Sequence, residues 1–320
     1  MPMRSAGLAP LLLVLLAGAC GQVTEPPVDG CTLPTLTDAP APASALATFN
    51  YDRTAAYDPL LQPIGTQQGV QIYTLSFLSP RGTGRATGRL FVPAGTGPFP
   101  GMLLQHGMPG NAAQMTGVGV LLARHGAVVV ALDAPFARRG GSSMLFTESD
   151  SAEQVQLMTD LQRAVDFLVA RPDVDASRLG YMGISYGAAM GALFVGIEDR
   201  LKTGILIVGD GGLVTHVTGP DDSGETFAGL TCAQQRRWLQ AMIPIEPIKY
   251  IGFAPPTSLL LQSGTLDDLV PKADAERLHA AARDPKTIRW YNAGHGLNTQ
   301  AARDGHVWMQ EKLGMRAPDF

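Results

Sequence analysis

The chain has 320 residues, 45% of them hydrophobic, with a net charge of −4 and three cysteines. That is ample apolar material for one sizeable core, and the charge balance is too acidic to mark a nucleic-acid surface. Beyond the N-terminus no stretch is apolar enough to cross a bilayer, and no His/Cys/Asp cluster has metal-ligand spacing, so neither metal nor cofactor is expected.

Arg4 precedes an apolar run from Leu8 to Ala19, which has the length of a signal-peptide core. Ala17 and Ala19 fit an A-x-A cleavage site, so residues 1–19 are expected to be removed and the mature chain to begin at Cys20. The run Leu16-Ala17-Gly18-Ala19-Cys20 resembles the lipobox of bacterial lipoproteins, whose cysteine is lipidated, although Ala17 stands where that family most often has Leu. The resemblance implies export from a bacterial cytoplasm and a lipid anchor at Cys20 in the cell envelope. The same cut without lipidation implies secretion. Membrane contact is expected only through that anchor. With Cys20 so used, Cys31 and Cys232 remain as a candidate disulfide in an oxidising compartment.

Residues 20–65 are expected to be a tether and N-terminal extension: 21–48 carry Pro26-Pro27, Pro34, Pro40 and Pro42 without apolar periodicity, which reads as semi-extended and weakly packed. From Gly69 the pattern turns to strands. Val70–Leu78 and Ala86–Val92 alternate with period two and flank a turn, which predicts a hairpin. Gly101–Gln105 and Ala127–Leu132 are continuous apolar runs, the pattern of strands in a parallel sheet covered on both faces. Val155, Met158, Leu161, Val165 and Leu168 recur at helical spacing within 151–170, where Arg171-Pro172 ends the helix. Strands follow at Leu179–Met182, Ile205–Val208, Ser258–Gln262 and Thr287–Tyr291. Residues 209–256, between the sixth and seventh of these strands, carry one expected helix over Ala233–Met242 and are a cap candidate.

The fifth strand runs into Gly183-Ile184-Ser185-Tyr186-Gly187 and then a helix-compatible stretch, Ala188–Ile197. A serine flanked at two residues by glycines suits a strand-to-helix turn too tight for larger neighbours, with the hydroxyl exposed at the top of the sheet. Three further motifs follow strands: Gly264-Thr265-Leu266-Asp267, Asn292-Ala293-Gly294-His295-Gly296 and His106-Gly107-Met108.

These four motifs, over residues 66–320, resemble the α/β-hydrolase family, whose nucleophile, acid and histidine occur in this chain order. The long helix, Arg171-Pro172-Asp173 and the elbow are most similar to the dienelactone-hydrolase and prolyl-oligopeptidase branch. The resemblance implies an α/β fold, a mostly parallel central sheet with helices on both faces and a small cap. It implies Ser185 as nucleophile, His295 as base, Asp267 as its partner, and the backbone N–H groups of Met108 and Tyr186 as the oxyanion hole. Two departures stand out. Ala188 follows the elbow where the branch often has a second Gly, and Ser replaces the Cys of dienelactone hydrolases proper.

Other acids compete with Asp267. Asp268 lies one residue off the glycine spacing, and Asp210 follows the sixth strand, where some hydrolases carry the acid. Asp133 is expected to cap or bridge loops, His106 to shape the oxyanion loop and His125 to end a helix. His279 and His306 are expected to be surface or core, and His216 a solvated cap residue, with a pocket position as the sharper alternative. Arg138-Arg139 are either solvated or a site for a substrate carboxylate.

The expected function is a serine hydrolase cleaving a small-molecule carboxylic ester through an acyl-enzyme, with no cofactor. A serine peptidase or amidase of the same fold is the nearest alternative, against which the chain before the catalytic region is short for the N-terminal propeller of prolyl oligopeptidases. A non-catalytic cell-surface binding module is the alternative of another class.

Overall fold

The computed structural model describes residues 31–81, 84–218 and 225–317; the expected signal peptide and Cys20 lie outside them. Nine strands form one sheet: β1 (Leu60–Gln67), β2 (Val70–Leu78), β3 (Arg85–Val92), β4 (Phe99–Gln105), β5 (Val128–Leu132), β6 (Val174–Ile184), β7 (Thr203–Ile207), β8 (Ser258–Gly264) and β9 (Lys286–Tyr291). Their spatial order is β1-β2-β3-β5-β4-β6-β7-β8-β9. The first three strands form antiparallel hairpins and β3 joins β5 antiparallel; every later pairing is parallel.

The helices are α1 (Thr116–Arg124), α2 (Pro135–Arg139), α3 (Glu148–Val169), α4 (Tyr186–Ile197), α5 (Leu213–Thr218), α6 (Glu225–Ala228), α7 (Cys232–Met242), α8 (Lys272–Ala281) and α9 (Thr299–Leu313). Continuous apolar strands supply two cores at once, because successive side chains point to opposite faces of a sheet. Leu103, Val128 and Val130 enter the core beneath α3 and α4, whereas Met102, Leu104, Val129 and Ala131 enter the one beneath α1 and α9. This is the α/β-hydrolase architecture expected from the sequence, with one strand more.

That strand, β1, lies where an extension was expected. It is exposed along its whole length and carries Pro63 and Gly65 at a break in register, so it has neither alternation nor a buried run to reveal it. An edge strand tolerates Pro because its outward N–H needs no partner.

The tether and extension expected over 20–65 are also packed from Leu33 on. Ala41 and Phe49 are buried, Phe49 meets Tyr250 edge-on at 5.4 Å, and Ala41 N–H donates to the Lys249 carbonyl. Arg163, buried on α3, donates to the carbonyls of Asp52 and Arg53. Isolated apolar residues among prolines show no periodicity, yet each can fill a pre-existing hollow. Cys31 and Cys232 are both disulfide-bonded.

The described residues of the segment 209–256 carry α5, α6 and α7 and are anchored to the body. Trp238 on α7 is fully buried and donates through Nε1 to Asp150 on α3, whose carboxylate also accepts from the N–H groups of Leu145 and Phe146. Thr231 and Gln234 close a reciprocal capping box at the start of α7. Among the described residues no helix is long and apolar enough to cross a membrane.

Candidate active site

The turn between β6 and α4 is one residue, Ser185, at φ 55° and ψ −120°. A non-glycine residue at positive φ stores roughly 1–3 kcal/mol of strain and persists only where its surroundings hold it. Here they do. Ser185 N–H donates to the Ile207 carbonyl at 2.8 Å, and the Tyr181 hydroxyl donates to the Gly187 carbonyl at 2.5 Å. A Cβ at Gly183 would fall 2.1 Å from the Gly187 carbonyl oxygen, and one at Gly187 would fall 2.3 Å from that of Gln105. The glycines are therefore required by contact with backbone, which cannot move aside. Ala188 fits without a second glycine after the elbow because its methyl group packs against Gly209, where a Cβ would lie only 2.7 Å away.

His295 and Asp267 reach the site from the loops after β9 and β8. Those strands are parallel neighbours, and their loops are tied together: Thr265 N–H donates to the Tyr291 carbonyl and Leu266 N–H to that of Ala293. His295 Nδ1 lies 2.9 Å from Asp267 Oδ2 and 3.0 Å from Oδ1. Asp267 Oδ1 also accepts from Leu269 N–H and Val270 N–H, and the carboxylate is only 3% exposed. A carboxylate offers only acceptors, so this contact is a hydrogen bond when His295 carries a proton on Nδ1. Asp268, one residue on, is exposed to solvent.

The third loop follows β4, which pairs in parallel with β6, so Gln105 lies opposite Gly183. A Cβ added at Gly107 would meet the Ser185 Cβ at 3.3 Å, which brings the backbone at Gly107-Met108 beside the serine. His106 is 1% exposed; its Nδ1 is 2.7 Å from the Gly107 carbonyl and its Nε2 accepts from Ala134 N–H at 3.0 Å. Burial pushes its pKa down, favouring the neutral ring with the proton on Nδ1 that both contacts require. It is a brace for the loop, as expected.

Met108, Ser185, Tyr186 and His295 line one cavity of about 230 Å³, with Asp267 behind the histidine. All five residues proposed for the site thus meet at the carboxyl ends of the strands, where the order around β4 reverses and ligands of open α/β sheets bind. Among the described residues no group of three or more His, Cys, Asp and Glu side chains could hold a metal ion.

The cavity also contains a pair that sequence reasoning separated. His216 of α5 and Asp210 line it, with His216 Nδ1 2.9 Å from Asp210 Oδ2. In the sequence Asp210 reads as a rival acid and His216 as a solvated cap residue or, alternatively, a pocket residue. Beneath them Glu246, fully buried, accepts from the N–H groups of Val214 and Thr215. Its desolvation, reinforced by the nearby Asp210 charge, pushes its pKa from the ordinary 4.5 up to about 8. Between those values the folded protein holds a proton that the unfolded chain has lost, so rising pH favours unfolding. The Glu246→Gln variant is therefore expected to show a flatter loss of Tm than the parent between about pH 5 and about pH 8. Calorimetric scans across that range check it, and equal slopes in the two proteins would contradict it.

Arg138 and Arg139 form no substrate site. Arg138 pairs with the buried Asp160 at 2.7 Å and Arg139 with Glu153 at 2.6 Å, both partners lying on α3. Asp133 bridges loops, accepting from Thr87 Oγ1 and Ala112 N–H. His125 ends α1 and packs edge-on against His306, while His279 is buried against Trp290.

Residues 117–313, more than half of the chain, match the family model described as the prolyl oligopeptidase family. The chain belongs to that family. Its curated relatives include the peptidase YuxL of Bacillus subtilis, 30% identical over 46% of this chain but only 22% of that protein's length. The protein YfhR of Escherichia coli O157:H7 is 28% identical over 70% of this chain and 73% of its own. Among solved structures, an acetyl xylan esterase from Paenibacillus sp. R4 superposes with a TM-score of 0.67 at 19% identity, covering 88% of this chain and 97% of that one. That likeness establishes the fold. This member of the prolyl oligopeptidase family is an α/β hydrolase whose serine elbow, acid loop and histidine loop all fall within, or at the edge of, a single cavity.

Proposed function

We propose that the protein is a serine hydrolase that cleaves carboxylic esters through an acyl-enzyme. The observation that carries this reading is the Asp267–His295 contact: with Nδ1–H committed to the carboxylate, Nε2 is the nitrogen that serves Ser185 in the shared cavity. Ser185 Oγ attacks the ester carbonyl carbon while His295 Nε2 takes the hydroxyl proton. The carbonyl oxygen becomes an oxyanion held by the N–H groups of Tyr186 and Met108, a role in which one donor is worth on the order of 10² to 10³ in rate. Collapse of the tetrahedral intermediate breaks the C–O bond, and the imidazolium returns its proton to the leaving alcohol. Water then attacks the acyl-serine with the same histidine as base, releasing the acid and the free serine.

A cavity of about 230 Å³ with Ala189, Leu213, Leu269 and Val270 in its walls suits a short acyl group. The name of the family supports an amide substrate as the competing reading, so the test compares both. A fluorophosphonate probe is expected to label Ser185, identified by peptide mass, and short-chain esters are expected to turn over faster than aminoacyl amides. Absent labelling would support a binding module; faster amide cleavage would support a peptidase.

A further inference from the structure

His295 lines two cavities. Besides the one it shares with Ser185, it borders a second of about 290 Å³, between α1 and α9 at the carboxyl ends of β6 and β7. Ile184 and Ile207 form the floor, Val118 and Leu121 of α1 one wall, and Leu297 and Met309 the other. The floor adjoins the nucleophile: Ile184 precedes Ser185 in the chain, and the Ile207 carbonyl accepts from Ser185 N–H at 2.8 Å. The cavity opens beside the histidine loop, where Asn298 and Ala302 are exposed. Leu297, two residues past His295, is held at φ 52°, a strained conformation for a branched residue.

The polar groups in these walls are engaged by the protein. Gln262 Nε2 donates to the Tyr291 hydroxyl and the Ala301 carbonyl, Asn298 Oδ1 accepts from Ala301 N–H, and His306 Nδ1 lies 2.8 Å from the Ala302 carbonyl. Among the described residues no carboxylate, lysine or arginine lines the cavity. What it offers a ligand is hydrocarbon surface, which favours a hydrocarbon chain over water.

We propose that this cavity receives the hydrocarbon chain of the ester's alcohol. The inference rests on the ester-hydrolase reading above and adds a substrate class to it: short-acyl esters of apolar, unbranched alcohols. The direction of proton transfer assigns the side. His295 returns its proton to the leaving oxygen, so the departing alcohol stands against the imidazole, and the chain beyond that oxygen is the part next to the second cavity. The acyl carbon, bonded to Ser185 with its oxygen on the N–H groups of Met108 and Tyr186, keeps its own chain in the first cavity, whose walls include Ala189 and Leu213.

The test measures kcat/KM for two series of esters, alkyl acetates from ethyl to hexyl and ethyl esters from acetate to hexanoate. The parent is compared with Ala302→Phe, which fills the opening from an exposed position, and Leu121→Gln, which makes one wall polar; each variant is checked for its unfolding temperature. In the parent each methylene added to the alcohol is expected to raise kcat/KM about threefold until the cavity is full, with a smaller gain along the acyl series. Ala302→Phe is expected to lower the ratio of hexyl to ethyl acetate about tenfold, and Leu121→Gln to lower it less. A general structural defect would instead lower both acetates equally and leave the ratio unchanged. No gain along the acetates in the parent, or an unchanged ratio in both folded variants, would overturn the cavity's role and leave the hydrolase standing, provided that Ser185→Ala abolishes turnover. A gain found only along the acyl series and removed by Ala302→Phe would overturn the assignment to the alcohol. Turnover of no ester by the parent, or turnover surviving Ser185→Ala, would overturn both readings.

Discussion

Replacing Ser185 by alanine is expected to lower kcat/KM for a short-chain p-nitrophenyl ester by on the order of 10⁴- to 10⁶-fold. The loss is large because no other group in the cavity can form the acyl bond; the oxyanion donors and the binding surface remain and account for the residual rate. The fold should not change. The backbone strain at φ 55° is the same for Ala and Ser, and Ser185 N–H keeps its bond to Ile207. The unfolding temperature of the variant is therefore expected to stay within a few degrees of the parent. Full activity in a folded Ser185→Ala protein would refute the acyl-enzyme mechanism.

The second large effect belongs to Asp267→Asn, for which a loss in kcat on the order of 10⁴ is expected. The reason lies in what holds the carboxylate. Oδ1 accepts from both Leu269 N–H and Val270 N–H, so in the variant the amide oxygen keeps that place and the amide nitrogen turns toward His295. An NH₂ group facing Nδ1 drives the ring proton to Nε2, the nitrogen that must accept from Ser185. Asp268→Asn, a change at an exposed side chain outside the site, is the control and should leave the rate within about twofold of the parent. Comparable losses in both variants would remove Asp267 from its assigned role.

The parts of the site legible in sequence are those specified by contacts with near neighbours in the chain. Gly183 and Gly187 are four residues apart and meet across one turn, so their spacing around Ser185 records a steric requirement directly. Gly264 precedes Asp267 for a related reason: a Cβ there would fall 2.4 Å from the Ala293 carbonyl oxygen, against the loop that carries His295. The apolar strands were legible because burial on both faces removes polar residues from them.

What sequence alone did not show arises from distant partners. β1 has no buried face to impose a pattern, and Phe49 is placed by Tyr250, about two hundred residues away in the chain. Arg138 and Arg139 look like a free cationic pair until α3 presents Asp160 and Glu153 to them. Nothing in the residues near Asp210 shows that His216, six positions on, returns to it and lines the cavity. The sequence by itself determined the fold class, the order of the four motifs and the residues offered for the chemistry, since strand burial and turn sterics are written locally. Only the tertiary structure decided which acid faces His295, which arginines are already neutralised and what lines the cavity around the serine. Ion pairs and cavity walls are made between segments whose separation in sequence carries no record of their separation in space.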